Sequence, residues 1–185
     1  MLRSGGCAGA DRLWAEEALE HGHKVEHFIF PGWSGKRDLG TYYELPQEWL
    51  DASDKYLYEV AKYPGKHYPK YNQRSNNYLR RDIYVMYYAD SLYGIGYFYD
   101  YSEPESGKYR FMVEGGTGWT IQAYKIYHPD RPLYFYEQRG KQWYQSVSNY
   151  WIKIDKPQKP EGTYAGVGSR KMLVSGKRAI VDVYD

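Results

Sequence analysis

The sequence predicts an α/β fold of the Rossmann-like kind, with a mostly parallel sheet flanked by helices. Two observations support this prediction. Segments with strand character alternate with amphipathic helical segments along the chain. Three strand-like segments also run directly into glycine-rich turns, which cover residues 4–9, 114–118 and 165–170. In an open parallel sheet such turns lie at the carboxyl ends of the strands, where ligands bind.

Length and composition restrict the class of protein. The 185 residues fit one domain, residues 1–185, and the net charge of +2 argues against a nucleic-acid or anionic-membrane partner. A single cysteine, Cys7, excludes an internal disulfide framework and a cysteine-rich zinc site. We expect no signal peptide, and we find no apolar run of the ~18 residues that a membrane span needs. We therefore expect a cytoplasmic protein, either of a cell or of an infected host cell.

Tyrosine is unusually frequent, at 24 of 185 residues. These side chains could replace Phe and Leu at half-buried positions, or they could form an aromatic-rich pocket or subunit interface. Their presence in nearly every segment favours the first interpretation.

The N-terminal half begins with a βαβ unit. A strand over residues 1–4, the first glycine turn, a helix over 10–20 and a strand over 25–30 follow one another. Apolar residues at helical spacing predict further helices. The remaining predictions are an irregular loop over 33–45, a helix over 46–63, a break over 64–71 and a helix over 72–89.

The second half is predicted from the same patterns. We expect strands over 91–99, 133–136 and 163–168, one or two strands within 142–155, helices over 120–127 and 175–184, a polar turn over 100–108 and a linker over 156–162. Residues 110–113 are either a strand or the end of a loop that leads into the second glycine turn.

The second glycine turn has the character of a phosphate-binding site. Glycines between a strand and a helix let the backbone approach an anion closely, and the free amides of the first helical turn then point at it. Thr117 and Thr120 add hydroxyl donors.

Three segments resemble the SLOG superfamily, the Rossmann-like group that includes the Smf/DprA proteins and the LOG phosphoribohydrolases. Residues 4–11 (SGGCAGAD) are similar to its first phosphate-binding turn, and residues 80–84 (RRDIY) to its arginine-bearing helix. Residues 114–120 (EGGTGWT) resemble the PGGxGT turn of LOG proteins. The resemblance is strongest to SLOG proteins of bacteriophages and bacterial genomes, some of which carry a segment like residues 164–170.

The order of the segments differs from that family. Such proteins usually open with a strand, a GxGSR-like turn and a helix, whereas this sequence starts at the SGG strand. Residues 163–185 have the sequence character of the missing unit. As in a circular permutation, they could fill the vacant place in the sheet of their own chain or of a neighbour. The short linker over 156–162 favours their own chain.

The resemblance implies a nucleotide or nucleotide-derived ligand and no cofactor. The catalytic glutamate of LOG enzymes falls at Gln122, which favours binding without turnover, such as sequestration of a host-defence signalling nucleotide by a phage protein. The alternative is a LOG-like phosphoribohydrolase, or N-glycosidase, acting on nucleoside monophosphates through Glu114 or Asp11. Because LOG proteins are commonly dimers or larger, we expect a homo-oligomer.

The predicted site residues share a place in or beside the glycine turns. Phosphate contacts are expected from Ser4, Gly5, Gly6, Gly9, Asp11, Arg81, Gly115, Gly116, Thr117, Gly118, Thr120, Gly168, Ser169 and Arg170. Trp119 and Trp33 are the expected base-stacking residues. No metal site is expected, since the spacing of His21, His23 and His27 does not converge on one ion.

Overall fold

The computed structural model describes residues 1–99, 109, 111–148 and 150–185, so the predicted polar turn over 100–108 lies outside the described residues. Eight strands and six helices occur in this part of the chain. In order they are β1 (Leu2–Ser4), α1 (Ala10–Glu20), β2 (Val25–Ile29), β3 (Thr41–Glu44), α2 (Gln47–Ala52), α3 (Asp54–Ala61), α4 (Gln73–Tyr87), β4 (Ser91–Gly96), α5 (Gly115–Tyr127), β5 (Leu133–Glu137), β6 (Gln142–Val147), β7 (Tyr150–Ile154), β8 (Tyr164–Gly168) and α6 (Val174–Tyr184).

The strands form one sheet in the order β3-β2-β1-β8-β4-β5-β6-β7. Neighbours from β3 to β5 are parallel, and β6 and β7 continue the sheet as antiparallel strands. Helices α1 and α6 pack on one face, and α2 to α5 contribute to the core on the other. The predicted α/β Rossmann-like fold is therefore confirmed.

The C-terminal segment occupies the centre of this sheet. Strand β8 is hydrogen-bonded in parallel to β1 on one side and to β4 on the other. From this centre the chain order runs outward through β1, β2 and β3 in one direction and through β4 and β5 in the other. The carboxyl ends of β1, β8 and β4 therefore meet at the switch point of the sheet, where α/β proteins bind ligands.

Small residues let β8 fit between its neighbours and the helix above it. A Cβ atom at Gly166 would lie 2.6 Å from Cγ of Trp14 and 2.9 Å from Cδ1 of Leu2. Both of these side chains are fully buried. Helix α1 can therefore approach the centre of the sheet closely only over a residue without a side chain.

Two predictions in the N-terminal half were wrong. The segment 33–45 is not entirely loop, because residues 41–44 form β3 and pair with β2 at the edge of the sheet. Most β3 residues are exposed, so the strand lacks an apolar pattern. The segment 46–63 is two helices, since Ser53 ends α2 and starts α3, and its N–H bonds to Leu50 O at 3.0 Å.

Two boundaries near the second glycine turn also differ from the prediction. Strand β4 ends at Gly96, and Phe98 beyond it makes an isolated antiparallel bridge to Val113. Helix α5 begins at Gly115 rather than Thr120, so glycines 115, 116 and 118 lie within its first turn. Glycine is a poor helix former, which is why the sequence pattern placed the start of the helix later.

Many tyrosines serve as large core residues. Tyr164 and Tyr184 are fully buried, and their hydroxyls form a hydrogen bond of 2.9 Å. Others, such as Tyr71 and Tyr88, are exposed. Across the described ranges, we find no helix with the length and apolar character that crossing a membrane requires.

The close packing at the centre of the sheet gives a test. Gly166→Ala should lower the free energy of unfolding by about 1–3 kcal/mol, because the added methyl overlaps Trp14 and Leu2. Gly116→Ala is the matched control, since a Cβ there meets nothing within 4 Å. Urea unfolding of both variants measures the difference, and equal stability would contradict the packing described for β8.

Candidate functional site

A cleft of about 360 Å³ lies at the switch point of the sheet. The structure brings parts of all three glycine turns together in its lining. Residues Cys7 and Asp11 come from the first turn and α1, residues 114–117 from the second, and residues 168–170 from the third. Helix α4 supplies one further wall through residues 78, 79, 81 and 82.

The first turn is held by a buried arginine. The Arg81 guanidinium donates from Nη1 to the carbonyl oxygens of Gly5 and Phe28, the latter at 3.1 Å. A Cβ atom at Gly5 would overlap this guanidinium. The absence of a side chain at Gly5 thus makes room for Arg81, whereas the sequence predicted a close approach to a ligand phosphate.

Acidic groups balance the charge of Arg81, which is 3% exposed. Its Nε lies 2.7 Å from Asp82 Oδ1, and its Nη2 lies 4.0 Å from Asp11 Oδ2. Burial alone would lower the pKa of Arg81, but Asp82, Cys7 and Asp11 raise it above its ordinary value. Asp82 in turn accepts a hydrogen bond of 3.1 Å from the Thr120 hydroxyl. Arg81 therefore joins α4, α5 and the first turn beneath the cleft.

Asp11 is a buried carboxyl group of the cleft with a shifted pKa. Its Oδ2 accepts a hydrogen bond of 3.2 Å from the Cys7 N–H. Burial raises the pKa of Asp11 to about 6, although the charge of Arg81 opposes this shift. Burial also raises the pKa of Cys7, so this thiol is not activated as a thiolate.

The second turn presents the N-terminus of α5 to the cleft. A Cβ at Gly115 or Gly116 would meet nothing within 4 Å, and both glycines line the cleft, so the cleft is open beside this end of the helix. Thr117 also lines the cleft, but the Thr120 hydroxyl is already bonded to Asp82. Gly118 does not line the cleft; it packs against the Val113 carbonyl.

The third turn contributes an exposed cation. The Arg170 guanidinium lies over the Tyr78 ring, 5.2 Å from its centroid. No carboxylate of the described ranges is within ion-pair distance of Arg170. The turn itself packs against the first one, since Ala10 N–H donates to Ser169 O at 3.1 Å and Gly9 lies against the Arg170 backbone.

The two tryptophans predicted to stack on a base lie in the hydrophobic core. Trp119 is 5% exposed, and its ring packs 6.2 Å from that of Tyr68. Trp33 is 7% exposed and lies 6.0 Å from the Tyr42 ring. Neither lines the cleft, because burial of these large rings against the sheet places them away from it. Four predicted residues of the first turn also lie outside the cleft lining: Ser4, Gly5, Gly6 and Gly9.

Two positions considered in the argument about catalysis, Gln122 and Glu114, lie in different hollows. Gln122 lines a separate small hollow with Lys66 and Lys125, so a carboxylate at position 122 would not face the cleft. The argument from Gln122 against turnover therefore loses its basis. Glu114 does line the cleft and forms an ion pair of 3.2 Å with Arg139.

Sequence reasoning missed several residues that line the cleft, among them Tyr78, Asp82 and Tyr97. Tyr78 lies three residues before Arg81, so the two share one side of α4, and this spacing was a usable signal. Asp82 follows Arg81 directly and had no such signal. Tyr97 follows directly after β4, at the carboxyl end of a central strand.

Comparisons with known proteins bear on the fold. No protein-family model matches the chain, and no curated protein matches it either. A solved structure described as a "putative molybdenum carrier protein" from Syntrophus aciditrophicus SB is similar in fold, with a TM-score of 0.51 and 13% sequence identity. The alignment covers 98% of this chain and 90% of the other. This neighbour supports the Rossmann-like arrangement of the fold.

The burial of Asp11 predicts a pH-dependent stability. Its pKa is about 6 in the folded protein against about 3.8 in an unfolded chain, so the wild type loses up to about 3 kcal/mol of stability as pH rises from about 4 through 6. Asp11→Asn removes the charge and keeps an oxygen for the Cys7 N–H. The variant should therefore be more stable than the wild type at pH 8 and equally stable below about pH 4. Urea unfolding across this range measures the effect, and a difference independent of pH would contradict it.

Proposed function

We propose that the cleft binds a nucleotide or nucleotide-derived small molecule through a phosphate group. The convergence of three glycine turns at the switch point of the sheet carries this proposal. Each turn follows a central strand or begins a helix, which is where α/β proteins place their ligands.

The anion would lie before the N-terminus of α5. The first-turn amides of a helix have no carbonyl partners within it, and the helix dipole adds positive potential there. Gly115 and Gly116 line the cleft, and the open space beside them leaves room for a phosphate at this end of the helix. Arg170 provides a guanidinium suited to bidentate contact with phosphate oxygens.

Membership of the SLOG superfamily is part of this proposal. The sequence resemblance favours a nucleotide-type ligand, and the structural neighbour is described as a carrier protein, which agrees with binding. From the resemblance to phage SLOG proteins we propose sequestration of a signalling nucleotide, as in a phage protein acting against a host defence, as the biological role. Gln122 does not contribute to this argument, since it faces another hollow.

A second candidate function is hydrolysis of an N-glycosidic bond. Asp11 favours it, because a carboxyl group with a pKa of about 6 within a cleft can act as a general acid or base near neutral pH. Incubation with nucleoside monophosphates separates the two functions. The binding protein returns its ligand intact, whereas the enzyme releases free base and loses this activity on Asp11→Asn.

Arg170 provides the direct test of phosphate binding. Arg170→Ala should weaken binding of a phosphate-bearing ligand about ten-fold or more, since a charge-assisted hydrogen bond contributes about 1.5–3 kcal/mol. Lys171→Ala is the matched control, because Lys171 is the adjacent cation and does not line the cleft. Calorimetry with nucleoside monophosphates, cyclic dinucleotides, inorganic phosphate and molybdate identifies the ligand class. Equal losses of affinity in both variants would mean that only the overall positive charge matters, which would contradict the phosphate site.

A further inference from the structure

A second hollow, of about 480 Å³, lies on the other side of the first glycine turn. We call it the His27 hollow; Gly6, Cys7, His27, Ser34, Leu39 and Tyr42 are among its lining residues. Cys7 lines both this hollow and the main cleft, so the turn at Cys7 is their shared boundary.

His27 is a buried polar side chain that the fold leaves unused. It is 1% exposed, and neither ring nitrogen has a hydrogen-bond partner among residues 1–99, 109, 111–148 and 150–185. Unpaired polar groups are costly in a protein interior, so such a residue calls for a functional explanation. Burial lowers the pKa of His27 to about 4, with the nearby Leu39 backbone opposing the shift. The imidazole is therefore neutral at pH 7 and offers one N–H donor and one acceptor nitrogen.

An aromatic wall stands beside this imidazole. The Tyr42 ring is half-buried, with its centroid 4.5 Å from that of His27 and an angle of 31° between the planes. The Trp33 ring lies beside it, with its centroid 6.0 Å from that of Tyr42. Aromatic faces of this kind bind planar heterocycles by stacking, with little dependence on their identity.

Two cations line the rim of the hollow, Arg12 and Lys36. Arg12 is already paired with Asp38 at 2.9 Å and with Glu16 at 2.8 Å, so its guanidinium is neutralised, in contrast to Arg170 in the main cleft. The preference for a planar heterocycle therefore comes from the Tyr42 ring and the neutral imidazole, and Lys36 adds a donor at the rim.

We propose that the His27 hollow is the nucleobase subsite of the ligand whose phosphate occupies the main cleft. This inference rests on the proposed function. The base lies against Tyr42 and exchanges a hydrogen bond with His27, while the sugar spans the turn at Cys7. The hollow thereby takes the role that the sequence assigned to Trp119 and Trp33.

Tyr42→Ala tests the subsite directly. It should weaken binding of the tightest of the four nucleoside 5′-monophosphates at least five-fold and leave binding of ribose 5-phosphate unchanged. Tyr43→Ala is the matched control, because neighbouring strand residues face opposite sides and Tyr43 packs toward Phe28 instead. Tyr43→Ala should change neither affinity. Unchanged monophosphate binding in Tyr42→Ala, or an equal loss for ribose 5-phosphate, would overturn the proposal.

A second measurement needs no variant of the core. The imidazole ¹⁵N resonances of His27 should move on addition of the same monophosphate and stay in place with ribose 5-phosphate. Resonances that respond equally to both ligands, or to neither, argue against the base subsite.

Arg170→Ala separates the two proposals. Weaker ribose 5-phosphate binding in that variant, combined with no effect of Tyr42→Ala, retains the phosphate site and rejects the base subsite. Monophosphate binding that depends on Tyr42 but not on Arg170 rejects the phosphate site instead. If the wild type binds none of the four monophosphates, the base subsite is rejected, and the phosphate site is then decided by the remaining ligands of the calorimetry panel.

Discussion

The buried guanidinium of Arg81 is the constraint on which the cleft depends. A charge in a protein interior is tolerated only when acceptors surround it and an opposite charge lies close. Here the acceptors are carbonyls of the first turn and of β2, and the opposite charge is Asp82. These groups belong to separate elements, so satisfying one side chain fixes their relative positions. Removing one partner of such a buried pair typically lowers the free energy of unfolding by about 3–5 kcal/mol, so few substitutions are expected to be tolerated at these positions.

The central position of β8 is the second requirement. Arg170 and Ser169 follow this strand directly, so they reach the cleft only because β8 inserts between β1 and β4. The insertion depends in turn on small residues, since α1 packs onto the centre of the sheet over Gly166. The close packing of α1 over Gly166 thus allows Arg170 to lie beside the first glycine turn, although the two are far apart in the sequence. Among the described residues, no carboxylate pairs with Arg170.

Hydrophobic periodicity was sufficient to predict the fold class and the existence of most elements. It failed at β3, whose exposed edge position leaves no apolar pattern, and at Ser53, where two helices meet without a break in that pattern. The site was predictable as three turns at one edge of a parallel sheet. The roles of single residues were not, because they depend on tertiary contacts. Arg81 faces carbonyls and carboxylates, and Trp119 turns into the core.

The distribution of charge explains why the two hollows suit different parts of one ligand. In the main cleft Asp82 compensates Arg81, which leaves Arg170 and the N-terminus of α5 as the sources of positive potential. That potential matches a single phosphate better than the repeating backbone of a nucleic acid, which normally requires a basic surface. Beyond Cys7, the neutral His27 and the Tyr42 ring offer hydrogen bonding and stacking. The turn at Cys7 thus separates an anion-binding end from an aromatic end. A nucleotide has the same division, between its phosphate and its base.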